Sequence, residues 1–343
     1  MRAVVIPRHG GPEVLTLTDV PDPEIAANEV SVRVRACALN HLDLWVRRGL
    51  PGIQFSLPLI PGSDIAGEVA AVGSLVSGVS IGQKVVVAPG VSCGACAACA
   101  RGEDNFCRKY TLFGYGLNGG YAEYMKAPSA NVFAMPENLN FEEAAAVPLV
   151  FMTAWHMLIV RAALRPGEDV LVLAAASGVG SAAIQIAKLM DARVMTTVGG
   201  AEKIPKARAL GADEVVDRTK QNFSDEVKRW TAHRGVDVVF EHVGEATWDE
   251  SVASLAAGGR LVTCGATTGA NAKLNLRYLF AKQQSVLGSF MGSRADLYSV
   301  LKLVGEGKLH PVIDRVLPLS RAVEAHELLE RGGQFGKIVL AIR

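Results

Sequence analysis

Four of the six cysteines lie within fifteen residues, at a spacing that suits a metal ion. Cys93, Cys96, Cys99 and Cys107 are separated by two, two and seven residues. Four thiolates on one short loop complete a tetrahedral shell around Zn²⁺ and leave no open position for a substrate. The bacterial iron–sulfur pattern instead ends with a three-residue gap and Cys-Pro, whereas Arg108 follows Cys107 here. We therefore predict one structural zinc ion per chain, with a disulfide pair or an iron–sulfur cluster as the alternatives.

A small-residue turn between a strand pattern and a helix pattern is the second place where chemistry is expected. The apolar run Val170–Leu173 predicts a buried strand. One face of a helix is indicated by Val179, Ala183, Ile186 and Met190. A strand, a tight turn and a helix present free backbone N–H groups to a phosphate.

This turn therefore predicts a dinucleotide pyrophosphate site. Its residues are Ser177, Gly178, Val179 and Gly180. The strict G-x-G-x-x-G pattern is relaxed, because Ala175 and Ser177 replace its first two glycines. An ordinary strand–helix turn that packs closely through small residues is the alternative.

Strand and helix patterns alternate throughout the second half of the chain. The predicted strands are Val170–Leu173, Arg193–Thr197, Glu214–Val216, Val236–Phe240, Arg260–Cys264 and Ser285–Ser289, with helices such as Glu202–Leu210 and Thr247–Leu255 between them. Six strands with crossovers predict a doubly wound parallel α/β sheet that binds its ligand at the carboxyl ends of the strands. Three of the strands end near residues that would let a cofactor approach the backbone, namely Val243 with Gly244, Gly265, and Gly288 with Ser289. Each of these glycines taken alone is typical of a turn.

The first half reads as short extended segments separated by glycine and proline, from Ala3 to about Val132. Val30, Val32 and Val34 alternate with polar residues, which predicts a half-buried strand. Ile65–Val72 and Lys84–Val87 are further strand candidates. The pattern predicts a β-barrel-like domain. A helix at Ser320–Glu330 and a strand at Lys337–Ile342 are predicted near the end of the chain.

Length and charge limit the classes of function. The 343 residues suffice for two domains, and 35 basic and 34 acidic residues give a net charge of +1. This balance provides no basic field for nucleic acid or for an anionic membrane surface. No apolar run follows Met1 and none is long enough to span a bilayer, so we expect a cytoplasmic protein that keeps its cysteines reduced.

Together these motifs resemble the medium-chain dehydrogenase/reductase superfamily. The cysteine lobe at 93–107, the segment ALNHLDLWVRRG at 38–49, the segment PGSDIAGEV at 61–69 and the dinucleotide turn carry the resemblance. It implies a GroES-like β-barrel catalytic domain at 1–127, a connecting segment at 128–156, a Rossmann cofactor domain at 157–290, and a return segment at 291–343 that completes the first domain. It also implies hydride transfer with a small-molecule substrate in the cleft between the domains. A homodimer or homotetramer is implied as well, and the edge near Ser285–Phe290 is a plausible pairing surface.

The resemblance also indicates the branch of the superfamily. The three positions that hold the catalytic zinc in the alcohol dehydrogenases are Asn40, Ser63 and Leu149 here. These side chains do not supply the three donors that a catalytic zinc needs. A relocated zinc site would draw on the remaining donors of the same segments, which are Cys37, His41, Asp43 and Asp64. The pattern with Asn40 instead resembles the zinc-free quinone reductases.

Two residues are implied to act at the nicotinamide. Asn40 resembles the asparagine that contacts the nicotinamide ribose and the substrate pocket in the quinone reductases, and Thr153 resembles a threonine whose hydroxyl faces the nicotinamide. The structural alternatives are that Asn40 caps the segment beginning at His41, and that Thr153 is an ordinary member of a helix spanning Glu142–Leu158.

The choice of dinucleotide depends on the end of the second strand of the sheet. An acidic residue at that point would accept a hydrogen bond from the adenosine 2′-hydroxyl, but the position is Val198. Lys203 and Arg218 are cations that could pair with a 2′-phosphate, or they are solvated surface charges. We therefore favour NADP(H) over NAD(H).

The resulting hypothesis is an NAD(P)H-dependent oxidoreductase that transfers hydride to or from a carbonyl, quinone or enone without a catalytic zinc. One alternative is a zinc-dependent alcohol dehydrogenase with rearranged ligands. The other is a non-catalytic scaffold that binds NADP(H).

Overall fold

The computed structural model describes residues 1–343, which form two compact units. Unit 1 combines Met1–Leu149 with Ser293–Arg343, and unit 2 is Val150–Gly292. The change of unit at Leu149 falls inside the segment 128–156 that was predicted to connect the domains. None of the helices combines the length and the apolar character that a membrane span requires.

The strands and helices are numbered in chain order. The strands are β1 (Arg2–Val5), β2 (Thr16–Asp19), β3 (Glu29–Ala38), β4 (Asp64–Val72), β5 (Lys84–Val87), β6 (Gly90–Val91), β7 (Thr111–Leu112), β8 (Tyr124–Pro128), β9 (Val132–Ala134), β10 (Asp169–Val172), β11 (Arg193–Val198), β12 (Glu214–Asp217), β13 (Val236–Glu241), β14 (Leu255–Thr263), β15 (Ser285–Gly288), β16 (Ile313–Pro318) and β17 (Lys337–Ala341). The α-helices are α1 (His41–Arg48), α2 (Ala97–Ala100), α3 (Phe141–Ala145), α4 (Pro148–Trp155), α5 (Gly178–Leu189), α6 (Ile204–Ala209), α7 (Phe223–Trp230), α8 (Trp248–Ala253), α9 (Leu276–Ala281), α10 (Arg294–Gly305) and α11 (Ala322–Arg331).

Unit 1 is built on a seven-stranded sheet. Its main path is β16-β17-β3-β4-β5-β9, and β8 also pairs with β3. All of these pairs are antiparallel except the parallel pair β16–β17. Along β3, the side chains of Val30, Val32 and Val34 are buried while Arg33 is exposed, because successive side chains of a strand point to opposite faces. The predicted β-barrel-like domain is therefore confirmed.

Unit 2 contains one sheet of six parallel strands in the order β12-β11-β10-β13-β14-β15. This order starts from a central strand and grows outward in both directions, which is the doubly wound arrangement. Its strands are rich in buried valine and leucine, and Leu171 and Val239 belong to its core, as expected of a sheet covered on both faces. The predicted parallel α/β fold is confirmed.

The structure differs from the sequence prediction at several boundaries. The single helix predicted from Glu142 to Leu158 is divided into α3, α4 and a π-helical segment at His156–Arg161. Pro148 begins α4 because a proline has no N–H to continue the preceding helix. Strand β14 begins at Leu255, before the predicted start at Arg260, and runs through Gly258 and Gly259 with a register shift against β13.

Candidate functional site

The four clustered cysteines converge in unit 1. Cys96 caps α2 and Cys99 lies within it, whereas Cys93 and Cys107 flank the helix on either side. All four sulfur atoms lie within 4.8 Å of one another. The Sγ–Sγ distance is 3.6 Å for Cys96–Cys99 and 4.0 Å for Cys93–Cys99. Tetrahedral Zn–S bonds of about 2.3 Å place sulfurs about 3.8 Å apart, so the cluster has the dimensions of a four-thiolate metal site.

Backbone N–H groups around the cluster favour thiolates, which are the form that binds metal, whereas the neighbouring Cys93 and Cys96 thiols raise the pKa of Cys107. The N–H groups of Cys93 and Lys109 each donate to Cys107 Sγ at 3.4 Å. The N–H of Ala95, together with the Cys107 thiol, lowers the pKa of Cys93 to about 6. All six cysteines of the chain are free of disulfides, so the disulfide alternative is not realised in this structure.

Asn40, also in unit 1, is hydrogen-bonded to both partners of a buried ion pair. The Lys337 ammonium donates to Asp64 Oδ2 at 2.9 Å and to Asn40 Oδ1 at 2.6 Å. Its third acceptor is the Leu39 carbonyl at 2.6 Å. Asn40 Nδ2 donates to the same Asp64 oxygen at 2.9 Å. The side chain of Asp64 is fully buried and that of Lys337 is only 4% exposed, so each charge depends on the other for its compensation.

Unit 1 contains further buried polar groups, namely Asp43, the third residue of α1, and the group formed by Arg47, His326 and Tyr121. Asp43 accepts from the backbone N–H groups of Asn40 and Gly62 at 2.8 and 3.1 Å. Burial raises its pKa to about 6. Arg47 can only donate, so His326 Nδ1 accepts from it at 3.2 Å and His326 Nε2 carries the proton toward Tyr121. Burial and the Arg47 charge lower the His326 pKa to about 3, which keeps this imidazole neutral.

The three positions implied to have lost the catalytic zinc ligands are occupied in other ways. Ser63 Oγ donates to the Phe113 carbonyl at 2.7 Å. The Leu149 N–H donates to Asp64 Oδ1 at 2.7 Å. The cysteine cluster is the one group in which three or more His, Cys, Asp or Glu donor atoms lie close enough for one ion. The donors of the relocated-site alternative, Cys37, His41, Asp43 and Asp64, do not form such a group.

The predicted dinucleotide turn lies in unit 2 between β10 and α5. Ala174 has a positive φ of 52°, a left-handed conformation that costs a non-glycine residue of the order of 1 kcal/mol. Its N–H donates to Thr197 Oγ1 at 2.9 Å, and the Ala175 N–H donates to the Thr197 carbonyl, also at 2.9 Å. These bonds to β11 hold the turn in its strained form.

Ser177 caps α5 and offers one hydroxyl proton to a ligand. Its Oγ accepts from the Gly180 N–H at 2.9 Å. His242 Nε2 lies 3.0 Å from the Leu173 carbonyl and 3.2 Å from Ser177 Oγ. A carbonyl can only accept, so Nε2 carries the proton and Ser177 Oγ accepts here too. The Ser177 hydroxyl proton is therefore not used in these two bonds, and a phosphate at the helix N-terminus could accept it.

A buried carboxylate fixes the loop after β13. Glu241 is fully buried and accepts from the N–H groups of Val243 and Gly244 at 3.0 to 3.1 Å. It also accepts from the Thr247 hydroxyl at 2.7 Å. Gly265, after the next strand, packs against this loop, because an added Cβ would lie 2.9 Å from the His242 carbonyl. Predicted cofactor positions on two neighbouring strands are thereby brought to one edge of the sheet.

Three buried hydroxyls in unit 2 have no hydrogen-bond partner, namely Thr153 Oγ1 in α4, Ser251 Oγ in α8 and Ser289 Oγ directly after β15. Thr153 and Ser289 are the two that were predicted to contact the cofactor. A buried polar atom without a partner carries a free-energy cost that a bound polar ligand removes. Beside Ser289, an added Cβ on Gly288 would meet no atom within 4 Å. Open space and unpaired hydroxyls fit the nicotinamide half of a dinucleotide.

The predicted determinants of phosphate preference follow β11 and β12. Lys203 ends a short 3₁₀ helix after β11, and Arg218 is exposed directly after β12. Val198 at the end of β11 pairs with Asp217 at the end of β12. Asp217 Oδ1 binds Thr219, and Asp217 Oδ2 has no partner. An acidic side chain is therefore present on the neighbouring strand, which the sequence analysis did not consider.

Two side chains of these hydrogen-bond networks were not predicted from the sequence. Lys337 was included only as the first residue of a strand, and His242 was not singled out. Both residues could have been noticed in the sequence, because a charged or imidazole side chain next to an apolar strand is unusual. All predicted dinucleotide positions except Asn40 lie in unit 2, whereas Asn40 and the cysteines lie in unit 1.

Comparisons with known proteins agree with this architecture. Residues 26–137 match the family described as alcohol dehydrogenase GroES-like domain, and residues 178–306 match the family described as zinc-binding dehydrogenase. A GroES-like domain followed by a parallel dinucleotide-binding sheet defines a class of NAD(P)-dependent oxidoreductases.

Relatives of full length narrow the class to one superfamily. Quinone oxidoreductase of Homo sapiens is 31% identical, covering 100% of this chain and 98% of that protein. Acryloyl-coenzyme A reductase of Metallosphaera sedula is 35% identical over 99% of both chains. A crystal structure titled NAD-dependent alcohol dehydrogenase is 48% identical over 100% of both chains, with a TM-score of 0.97. The chain belongs to the medium-chain dehydrogenase/reductase superfamily, and it is an oxidoreductase of that type.

Proposed function

We propose that this oxidoreductase transfers hydride between NADP(H) and a quinone, an enone or another carbonyl compound without a catalytic zinc. The buried arrangement around Asn40 carries the proposal. The amide of Asn40 is bound to an ammonium and a carboxylate, and Lys337 brings a positive charge to the residues that would have to hold a metal cation. A second cation at that point would meet like-charge repulsion.

The residues of the chain would act chiefly by position. A bound reduced nicotinamide supplies the hydride from its C4. The substrate that accepts the hydride then takes up one proton from solvent. Thr153 and Ser289 would bind the nicotinamide half through their unpaired hydroxyls, and Ser177 with the first N–H groups of α5 would bind the pyrophosphate. Val243, Gly265 and Gly288 would line the cofactor with backbone. Holding the two reactants close together and correctly oriented can supply a large part of the rate enhancement.

A turnover panel with a metal assay tests this function. NADH and NADPH are each supplied with a quinone, an enone, an enoyl thioester and an aldehyde, and the reverse reaction is run with alcohols. We expect reduction of at least one acceptor, unaffected by brief treatment with a chelator, and about one zinc ion per chain. Two zinc ions with chelator-sensitive alcohol oxidation would contradict the proposal.

Two other functions would give different results on that panel. The 48% identical structure of an NAD-dependent alcohol dehydrogenase favours an alcohol as the substrate. A zinc-dependent alcohol dehydrogenase with rearranged ligands would show the second zinc. A non-catalytic scaffold would bind the dinucleotide tightly without consuming it.

We also propose that the four-cysteine cluster holds one structural zinc ion. The sulfur separations support it, and four thiolates leave no position where a substrate could bind. The disulfide-free cysteines support a reducing compartment, and we propose the cytoplasm.

Removing the cations near the end of β11 tests the preference for NADP(H). We expect Lys203→Ala and Arg218→Ala each to raise the Kd of NADPH about tenfold, the scale of one lost charge-assisted hydrogen bond, and to leave the Kd of NADH within about twofold. Fluorescence titration with both dinucleotides measures this, and Lys206→Ala in the following helix α6 is the control. Tighter binding of NADH than of NADPH by the wild type would refute the preference, and Asp217→Asn would then show whether Asp217 accepts from the ribose.

We propose that a second copy of this chain covers the edge strand β15. Val286 on this strand is 37% exposed, and Phe280 before the strand and Phe290 after it in the chain are 71% and 60% exposed. An edge strand with apolar neighbours is a ready surface for strand pairing. We expect a solution mass of about twice 36.3 kDa, falling to one chain for Val286→Arg. Val316→Arg, on the edge strand β16 of unit 1 and 44% exposed, is the matched control; a mass unchanged in Val286→Arg would exclude this surface.

A further inference from the structure

The turn between β10 and α5 is held from the strands on both sides of β10. In the sheet, β10 lies between β11 and β13. From β11, Thr197 Oγ1 accepts from the Ala174 N–H at 2.9 Å. From the residue directly after β13, His242 Nε2 lies 3.0 Å from the Leu173 carbonyl and 3.2 Å from Ser177 Oγ. His242 is therefore the side chain that joins the turn to the end of β13.

The two acceptors decide which ring nitrogen of His242 carries the proton. A carbonyl oxygen can only accept, and a lone pair on Nε2 would repel it. Nε2 is therefore protonated, and its one proton is shared between the Leu173 carbonyl and Ser177 Oγ. Burial lowers the pKa of His242, so the imidazole is neutral. The ring also meets the Phe240 ring edge-on, with 6.0 Å between the centroids.

Ser177 Oγ has no acceptor capacity left beside His242. A hydroxyl oxygen has two lone pairs and one proton. One lone pair accepts from the Gly180 N–H at 2.9 Å, and the other accepts from His242. Donation of the hydroxyl proton is the interaction that remains for a ligand, and phosphate oxygens at the N-terminus of α5 are suitable acceptors.

These two side chains are a departure of this chain from the strict glycine pattern. The pattern G-x-G-x-x-G has a glycine at the position of Ser177, and a glycine brings no hydroxyl to the phosphate. A hydroxyl that rotates freely must be immobilised by the ligand, which lowers the affinity. His242 removes this cost, because it occupies the lone pair and so restricts the direction of the proton.

We propose that His242 is a positioning residue for the pyrophosphate of the bound dinucleotide, because it reserves the Ser177 hydroxyl proton for a phosphate oxygen. This inference rests on the proposed function in one respect, namely that a dinucleotide binds at this turn. The N–H proton of His242 is already used within the protein, so His242 acts through Ser177. Both residues belong to unit 2.

Ligands with and without a phosphate at the ribose 5′ position test this role. NADPH is compared with adenosine 2′-monophosphate, or NADH with adenosine if the turnover panel identifies NADH, by isothermal titration calorimetry. For His242→Leu we expect the Kd of the dinucleotide to rise about fivefold, the scale of one side chain that the ligand must itself immobilise. The Kd of the ligand without the 5′-phosphate should stay within about twofold. Equal weakening of both ligands, or of neither, would overturn the proposal.

His242→Gln is the conservative variant that separates the donated proton from packing. Glutamine carries an N–H donor on the atom that is as many bonds from Cα as histidine Nε2. We expect this variant to bind the dinucleotide within about twofold of the wild type. A loss as large as that of His242→Leu would contradict a role that depends on the donated proton.

A double-mutant cycle tests whether His242 acts through Ser177. Ser177→Gly removes the hydroxyl at a cost to the helix cap of only a few tenths of a kcal/mol, and the Kd of the dinucleotide should rise about tenfold through loss of a charge-assisted hydrogen bond. Adding His242→Leu should weaken binding by no more than about twofold further, and additive effects would overturn the proposal.

The single variant Ser177→Gly also decides the matter if His242→Leu does not fold. Unchanged binding of the dinucleotide without the hydroxyl would overturn the proposal, and a loss confined to the ligand with the 5′-phosphate would support it. Failure of the proposed function would appear instead as absence of turnover in the wild type, which leaves these binding measurements readable.

Discussion

Cys96→Ala is expected to release the zinc ion and to lower the melting temperature by about 5 °C or more. Three remaining thiolates do not close a tetrahedral shell, and the free energy of metal binding to a structural site contributes directly to folding. The segment 93–107 contains only the four-residue helix α2 and a 3₁₀ turn, so little besides the metal orders it. Zinc content by atomic absorption should fall from about one ion per chain to well below half, and calorimetry should report the lower transition.

Cys264→Ala is the matched control for this variant. Cys264 lies outside the cluster, at the end of β14, and burial raises its pKa to about 12, so it is a neutral thiol. The control should keep the zinc and the wild-type turnover rate. If Cys96→Ala kept its zinc, or if it folded with an unchanged melting temperature and yet lost all turnover, the cluster would not be a structural zinc site.

Much of the fold could be predicted because its signals are local. The alternation at Val30, Val32 and Val34 needs only neighbouring residues, and β3 shows it. The doubly wound parallel sheet followed from apolar runs separated by helices, whereas the order of its strands was seen only in the structure. The cysteine cluster could be predicted for the same reason, because four ligands within fifteen residues lie close together in any compact loop.

The arrangement around Asn40 could not be predicted from such patterns. Lys337 and Asp64 are 273 positions apart in the chain, and no local periodicity relates two residues at that distance. The sequence identified Asn40 and listed Asp64 among possible metal ligands, but it could not show that an ammonium lies between them. Its presence changes the role of Asp64 from a candidate ligand to a charge partner.

The division of the helix predicted from Glu142 to Leu158 was only partly predictable from the sequence. Pro148 was visible in the sequence as a residue without an N–H, and it could have indicated the break. The π-helical turn that follows α4 at His156–Arg161 has no such signal. Tertiary packing, more than propensity, decides the local helix form in such a buried segment. The position of Thr153 is therefore a result of packing that the sequence does not state.

The turn before α5 requires small residues for two separate reasons. Ala174 occupies a left-handed conformation, and Gly180 packs directly against it. A Cβ added at Gly180 would lie 2.3 Å from the Ala174 carbonyl oxygen and 2.8 Å from Ser177 Oγ. Neither neighbour can withdraw easily, because the first is backbone held by β11 and the second is the cap of the helix.

Gly180→Ala is therefore expected to lower the free energy of unfolding by about 1–3 kcal/mol, the usual cost of one overpacked methyl group. Displacing Ser177 removes both the cap and the hydroxyl directed at the phosphate, so the Kd of the dinucleotide should rise at least about tenfold. Gly305→Ala is the matched control: it adds one methyl to the end of α10, where the nearest atom is Pro136 Cβ at 3.9 Å. That variant should gain up to about 1 kcal/mol from helix propensity and bind the dinucleotide normally. Urea unfolding and fluorescence titration measure the two effects. Wild-type affinity in a folded Gly180→Ala protein would mean that the dinucleotide does not bind at this turn.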